Sequence, residues 1–214
     1  MARFSGLLCA AFLCGATLFA RNSIILEPAE LVDTQQTIFH SGGTLELKDS
    51  LGEVNIVGWD QPQMELTVTK STHRRYAPED MEKALTELDK IVVSMETAGN
   101  HVVVRTEFPA HTRVKANLQY TIHVPRQTRI IVRHQAGEVK VHDVAANMEV
   151  LAHSGGIQLE LPELEQFVID AQTRQGEVVS DWSLPAAAGL ASPYRVTLRM
   201  DSGDISIHRA RSKC

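Results

Sequence analysis

Cysteine is scarce: three occur in 214 residues, and two of them, Cys9 and Cys14, lie within the first twenty positions. If that segment is removed, Cys214 is the one thiol left, so no intramolecular disulfide can form and the fold must rest on its core. Positive charge is also in short supply. The formal net charge is −5, with 21 Lys and Arg against 26 Asp and Glu, which excludes the broad cationic surface that nucleic-acid binding draws on. The one basic cluster, Arg209, Arg211 and Lys213, reads as a solvated terminus. Long apolar runs are missing with one exception, Leu7 to Phe19, which is too short to span a bilayer comfortably. Arg3 precedes that run and Ala20 follows it, the layout of a secretory signal over residues 1–20, with the mature chain starting near Arg21. Left uncleaved, residues 7–20 would instead act as a membrane anchor, the one case in which the membrane becomes a partner. Gly6-Leu7-Leu8 and Ala11-Phe12-Leu13 lack the small residues expected before a lipidated cysteine. What is present is ordinary globular usage, 43% apolar and 22% charged, which argues against disorder and for one folded domain.

The organising pattern emerges when glycines are used as alignment points, with apolar residues seven and five positions before each and two and four after. Leu45 and Leu47 precede Gly52, and Val54 and Ile56 follow it. The second copy is Ile130, Val132, Gly137, Val139 and Val141; the third is Met148, Val150, Gly155, Ile157 and Leu159. The fourth, Ile169, Ala171, Gly176, Val178 and Ser180, lapses at its last position, and the fifth is Val196, Leu198, Gly203, Ile205 and Ile207. Alternation on both sides of each glycine predicts two short strands with one buried face, and glycine supplies the positive φ that turns the chain between them. In the C-terminal half the glycines recur every 18 to 27 residues, the longest interval holding the insertion 183–193. A strand-and-turn repeat of about 20 residues predicts an all-β fold, a β-solenoid or β-helix-like stack of short strand pairs.

One stretch departs from the repeat. Met64 to Lys70 alternates as a strand, and Pro78, Glu79 and Asp80 then open a short inserted α-helix over about 78–89, where proline and acidic residues suit a first turn. Met81, Leu85 and Leu88 form its apolar stripe. Ile91 to Met95 and His101 to Arg105 flank the turn Gly99-Asn100, and Val114 to Val124 follows as a longer strand. The domain therefore covers 36–214, with 21–35 as an N-terminal linker.

The run Gly52-Glu53-Val54-Asn55-Ile56-Val57-Gly58-Trp59-Asp60, then Gln61-Pro62, the strand Met64 to Lys70, the helix, the hairpin and the entry Val124-Pro125-Arg126, resembles the bacterial putative-adhesin family of unknown function. The likeness spans Thr37 to His208 and rests on the order of elements. It implies an exported or envelope-associated β-solenoid; "adhesin" there is a fold-level label, and the family supplies no catalytic residues.

Chemistry-bearing residues give no enzyme signature. His40-Ser41-Gly42-Gly43 and His153-Ser154-Gly155-Gly156 look alike, but they fall in different phases of the repeat. Three positions before the glycines stand Asp49, His134, Ala152, Thr173 and Met200, which is no metal-ligand set. Asp49, Glu53, Asp201 and Asp204 match no calcium loop and read as turn chemistry. Outward strand positions carry Arg133, Lys140, Arg195 and Arg199, which together with Trp182 are the candidate binding surface, the inserted loop being the best single contact segment. Trp59 is expected as a corner packed over the core. No cofactor is expected. The partner is left open as an envelope component, a protein or a glycan, and the alternatives are an anchored envelope regulator and, behind it, a polysaccharide-active enzyme, for which no paired carboxylates are assignable.

Overall fold

Strict alternation builds the strands. In the strand from Gln63 to Tyr76, Met64, Leu66 and Val68 are fully buried while Glu65, Thr67 and Thr69 face out, as period-two side-chain geometry requires. The computed structural model describes residues 25–109, 115–162, 167–181 and 194–210. The expected signal 1–20, the insertion 183–193 and Trp182 lie outside the described residues. The elements are β1 (Glu27–Ile38), β2 (Thr44–Leu51), β3 (Glu53–Trp59), β4 (Gln63–Tyr76), α1 (Pro78–Asp89), β5 (Val92–Ala98), β6 (His101–Glu107), β7 (Ala116–Pro125), β8 (Arg129–His142), β9 (Met148–Leu161), β10 (Phe167–Gln175), β11 (Val178–Ser180) and β12 (Tyr194–Arg209). Among the described residues the fold is all-β with one short helix. Pro78 opens that helix with Glu79 and Asp80 in its first turn, Ala84 and Leu88 are buried, and Met81 and Leu85 pack partly against the core.

All twelve described strands join one sheet. One path runs β1-β4-β7-β3-β8-β2-β6-β5, and from β8 it continues through β9 and β12 to β10 and β11. β1, β4 and β7 pair antiparallel, as do β5 and β6, whereas every other pairing is parallel. The ends of the path approach each other, since Gln35 Nε2 of β1 donates to the Val93 carbonyl of β5 at 3.2 Å. The result is a nearly closed, barrel-like sheet of mixed strands rather than a single run of stacked strand pairs. The segment expected as a linker is largely strand: β1 covers residues 27–38 and pairs along β4.

The repeat glycines bend strands more than they end them. Gly137, Gly155 and Gly203 lie inside β8, β9 and β12, all with φ between 121° and 129°; Gly52 and Gly176 separate β2 from β3 and β10 from β11. The five form one column across the sheet. A Cβ built on Gly155 would sit 1.8 Å from the Gly137 carbonyl oxygen, and Gly137, Gly203 and Gly176 meet their neighbours' carbonyls in the same way. Neighbouring backbones therefore approach where no side chain fits, and the chain folds each long strand across two walls.

The core lies between those walls. All four template positions around Gly52, Gly137, Gly155 and Gly203 are buried, each 3% exposed or less. The fourth copy differs because it is outermost: β12, the fifth copy, sits between β9 and β10, so Ala171 is half-buried and Val178 is 37% exposed. A few polar groups are enclosed and paired. Tyr120 and Thr106 share a hydroxyl–hydroxyl hydrogen bond of 2.8 Å, and burial pushes the Tyr120 phenol up to about 12. The buried Lys70 amine donates to the Ile91 carbonyl at 2.6 Å, tying β4 to the exit of α1.

Candidate functional site

Two outer surfaces and one end of the sheet present chemistry to solvent. On the wall made by β6, β2, β8, β9, β12 and β10, one row carries Arg105, Lys48, Arg133, Leu151, Arg199 and Gln172 side by side. Two residues along lies a row containing Glu46, Glu149 and Asp170. The rows answer each other: Lys48 pairs with Glu46 at 3.3 Å, and Arg199 forks onto the Asp170 carboxylate, its guanidinium holding that carboxyl below the usual range. Arg195 is exposed, and its backbone N–H is held by Asn147 Oδ1 at 2.8 Å. This wall mixes both signs, with Lys48, Arg105, Arg133, Arg195 and Arg199 against Glu46, Glu149 and Asp170.

The opposite wall is acidic. Its first row beside the glycine column places Glu53, Glu138, Asp204 and Glu177 on β3, β8 and β12 and just ahead of β11. Its second row is neutral over β1, β4, β7 and β3, with Thr34, Thr67, Thr121 and Asn55, and then meets Lys140. Its third alternates carboxylate and imidazole: Glu65 with His123 at 3.7 Å, Glu160 with His142 at 3.1 Å, and Asp181 with His208 at 3.0 Å. Lys140 is the only lysine or arginine in these rows. It bridges Glu138 at 3.0 Å and Glu53 at 3.1 Å, and those hydrogen bonds raise its proton affinity.

The residues grouped by sequence are thus divided. Arg133, Arg195 and Arg199 lie on the wall of mixed charge, Lys140 on the acidic one, and Trp182 outside the described residues. Sequence reasoning missed the acidic wall, although the period-two phase after each glycine carried the signal: the residue directly following it is Glu53, Glu138, Glu177 or Asp204 in four of the five copies. The two His-Ser-Gly-Gly copies separate as well. His40 to Gly43 form a turn clamped by Asn100, whose side chain accepts from the His40 N–H at 2.9 Å and donates to its carbonyl at 3.1 Å, whereas His153 lies in β9 and pairs with Asp201 at 2.8 Å. Among the described residues no three His, Cys, Asp or Glu converge as metal ligands. Ser50 and His134, 2.8 Å apart, have the look of a nucleophile and base, but both are buried at the bend, out of a substrate's reach.

At the end of the sheet, four connections meet. The Phe39 N–H donates to the Pro62 carbonyl at 3.2 Å, Arg126 N–H to Trp59 at 3.2 Å, Gly42 N–H to Gln127 at 3.1 Å and Ala145 N–H to Arg126 at 2.7 Å. They enclose a cleft of about 360 Å³ lined by Trp59, Asp60, Pro62, Arg126, Gln127 and neighbours. Trp59 is half-buried, its ring stacked on His123 at 5.0 Å and 25°, and its indole N–H donates to the Gln63 carbonyl at 2.9 Å. Gly58 permits this corner, since a Cβ there would fall 2.0 Å from the Asp143 carbonyl oxygen.

The fold is shared with one solved bacterial structure, and two others align more weakly. A "putative cell adhesion protein" from Clostridium sporogenes aligns with a TM-score of 0.53 at 13% identity, over 84% of this chain and 100% of that one. A "putative adhesin" from Bacteroides fragilis aligns at TM-score 0.34 and 8% identity, over 84% and 97%, and a "putative lipid binding protein" from Parabacteroides distasonis at 0.23 and 10%, over 84% and 97%. No family model matches the chain, and no curated protein matches it. At these identities the first likeness establishes fold, not activity.

Proposed function

We propose that this is an exported, noncatalytic binding module of the adhesin-like fold, which presents its acidic wall to a basic segment of a cell-envelope protein. The observation that carries the reading is the one-sided charge: seven carboxylates face a single lysine across three registered rows on a sheet whose strands cannot slide past the glycine column. In-register parallel pairing of β8, β9 and β12 and the glycine column support reading this half as a short solenoid-like stack. The apolar run Leu7 to Phe19 supports export, and no described helix is long and apolar enough to cross a membrane. The reading as a non-enzyme is supported by the inaccessible Ser50–His134 pair and by outer carboxylates engaged with Lys140, His142 and His208.

The test is retention of envelope proteins on the immobilised chain from residue 21 onward. Retention should be strong at low ionic strength, fall several-fold at about 0.5 M salt where screening is nearly complete, and disappear in Glu138→Gln/Asp204→Asn/Glu177→Gln. Equal retention by that variant, or its loss in Arg133→Glu on the other wall, sinks the proposal. Intact mass and fractionation of the chain expressed with its own N-terminus tests export: a soluble form beginning near Arg21 is expected, and a full-length membrane-bound form would favour the anchored alternative.

A further inference from the structure

The cleft at the end of the sheet has a chemistry different from either wall, and we propose that it is a binding site for a neutral saccharide. Three properties carry this. The first is preorganisation: the turns 39–43, 59–62 and 125–128 come from distant parts of the chain yet are cross-linked by main-chain hydrogen bonds, so the walls exist before any ligand arrives and little ordering is left to be done on binding.

The second is a fixed aromatic plane. Trp59 is held on one side by the His123 ring and at its edge by the bond from Nε1 to the Gln63 carbonyl, and Pro62 and Pro125 give the same cleft rigid apolar ground. A partly exposed, immobile indole is suited to the apolar C–H face of a pyranose, which a flexible side chain would meet at an entropic cost.

The third is polar complementarity without net positive charge. Arg126 Nε donates to Asp60 Oδ1 at 2.8 Å, with Asp143 Oδ1 3.8 Å from the same guanidinium, and the hydrogen bond to Asp60 strengthens the arginine's hold on its proton. The arginine is therefore already compensated and does not select an anion. Asp60, 82% exposed at its side chain, keeps acceptor capacity, and the side chains of Ser41, Gln61 and Gln127 supply both donors and acceptors at the rim. Hydroxyl groups, each a donor and an acceptor, match that set; a phosphate or a uronate would face Asp60 and Asp143. The cleft, at about 360 Å³, falls at the small end of ligand sites, room for one or two sugar units rather than a polymer.

Trp59 and Trp182 are the only tryptophans, so a Trp182→Phe background makes Trp59 the sole indole reporter. In that background, fluorescence titration with cellobiose, N,N′-diacetylchitobiose and maltose is expected to give a saturable change for at least one of them, in the high-micromolar to millimolar range typical of a small open site, and no change with a galacturonate disaccharide. Gln127→Ala/Gln61→Ala, which leaves the main-chain cross-links in place, should weaken the binding at least tenfold with unchanged thermal stability, and Asp60→Asn should weaken it while Glu138→Gln leaves it unaltered. Absence of saturation with all three neutral sugars to about 20 mM, binding of the uronate instead, or identical affinity in the double-glutamine variant each overturns the proposal. Because envelope-protein retention is read on the Glu138, Asp204 and Glu177 variant, loss of one activity leaves the other measurable.

Discussion

The two halves of the sheet solve the same packing problem by different means. Where β8, β9, β12 and β10 run parallel and in register, every strand offers the same position to its neighbour, and one residue type, glycine, recurs at the same place because each backbone must touch the next. Where β1, β4, β7, β5 and β6 wrap antiparallel, each contact is solved individually, by a helix, a buried lysine, a hydroxyl pair or a corner tryptophan. Repetition makes the first half legible and intolerant of change at its column. The second half tolerates change at its turns and reveals little of its pairing in the sequence.

The sharpest way to break that contrast is one substitution in each half. Gly155→Val should cost at least about 3 kcal/mol and is expected to prevent folding, because a side chain would enter the Gly137 carbonyl at an unfavourable φ of 122°. Gly99→Ala, in the β5–β6 turn at φ 61° with nothing within 4 Å, should cost only about 1 kcal/mol; urea midpoints for the two decide it. Within the parallel half, Ile205→Ala should cost about 2–5 kcal/mol. Val178→Ala, its register partner at the exposed edge, should stay within about 0.5 kcal/mol. In the antiparallel half, Tyr120→Phe leaves Thr106 Oγ1 without its buried partner and should cost about 1–3 kcal/mol.

The gentlest probe is pH. Burial lowers the proton affinity of His134 at the bend of β8. The unfolded chain takes up that proton near the ordinary value of 6.5 while the folded chain resists it, so this contribution is fully present above 6.5 and is lost as pH falls below it toward the depressed folded value. Comparing urea midpoints at pH 7.5 and 5.5, the drop should be smaller in His134→Asn than in the parent chain.

Core positions and the helix were legible because both depend on local periodicity: the template located buried Leu45, Val139, Ile157 and Ile205, and Pro78 marked where α1 begins. Strand order was not. Copies that share one pattern pair equally well in any sequence, so nothing in residues 167–209 announces that β12 lies between β9 and β10. Glycine suggested a turn because positive φ is common to turns and to bends inside a strand. β1 looked like a linker because Glu27 to Ile38 has few large apolar residues and packs chiefly through its backbone to β4. The end cleft was invisible for a simpler reason: Ser41, Trp59 and Arg126 meet only because β3 pairs with β7 and β2 with β8, and the sequence favoured a core corner for Trp59 over an exposed stacking face.

The position of β12 also fixes when this molecule can become itself. Until residue 209 is available, β9 and β10 have nothing between them, and Ile157, Leu159 and Ile169 lack the Ile205, Ile207 and Val196 that lie alongside them. A nascent chain still short of that point cannot complete its interior by adding one coil after another; β12 must take its place between β9 and β10. Cooperative assembly is thereby postponed until β12 has been delivered, and any protease reaching the chain earlier meets an open seam in the middle of the sheet rather than a frayed end.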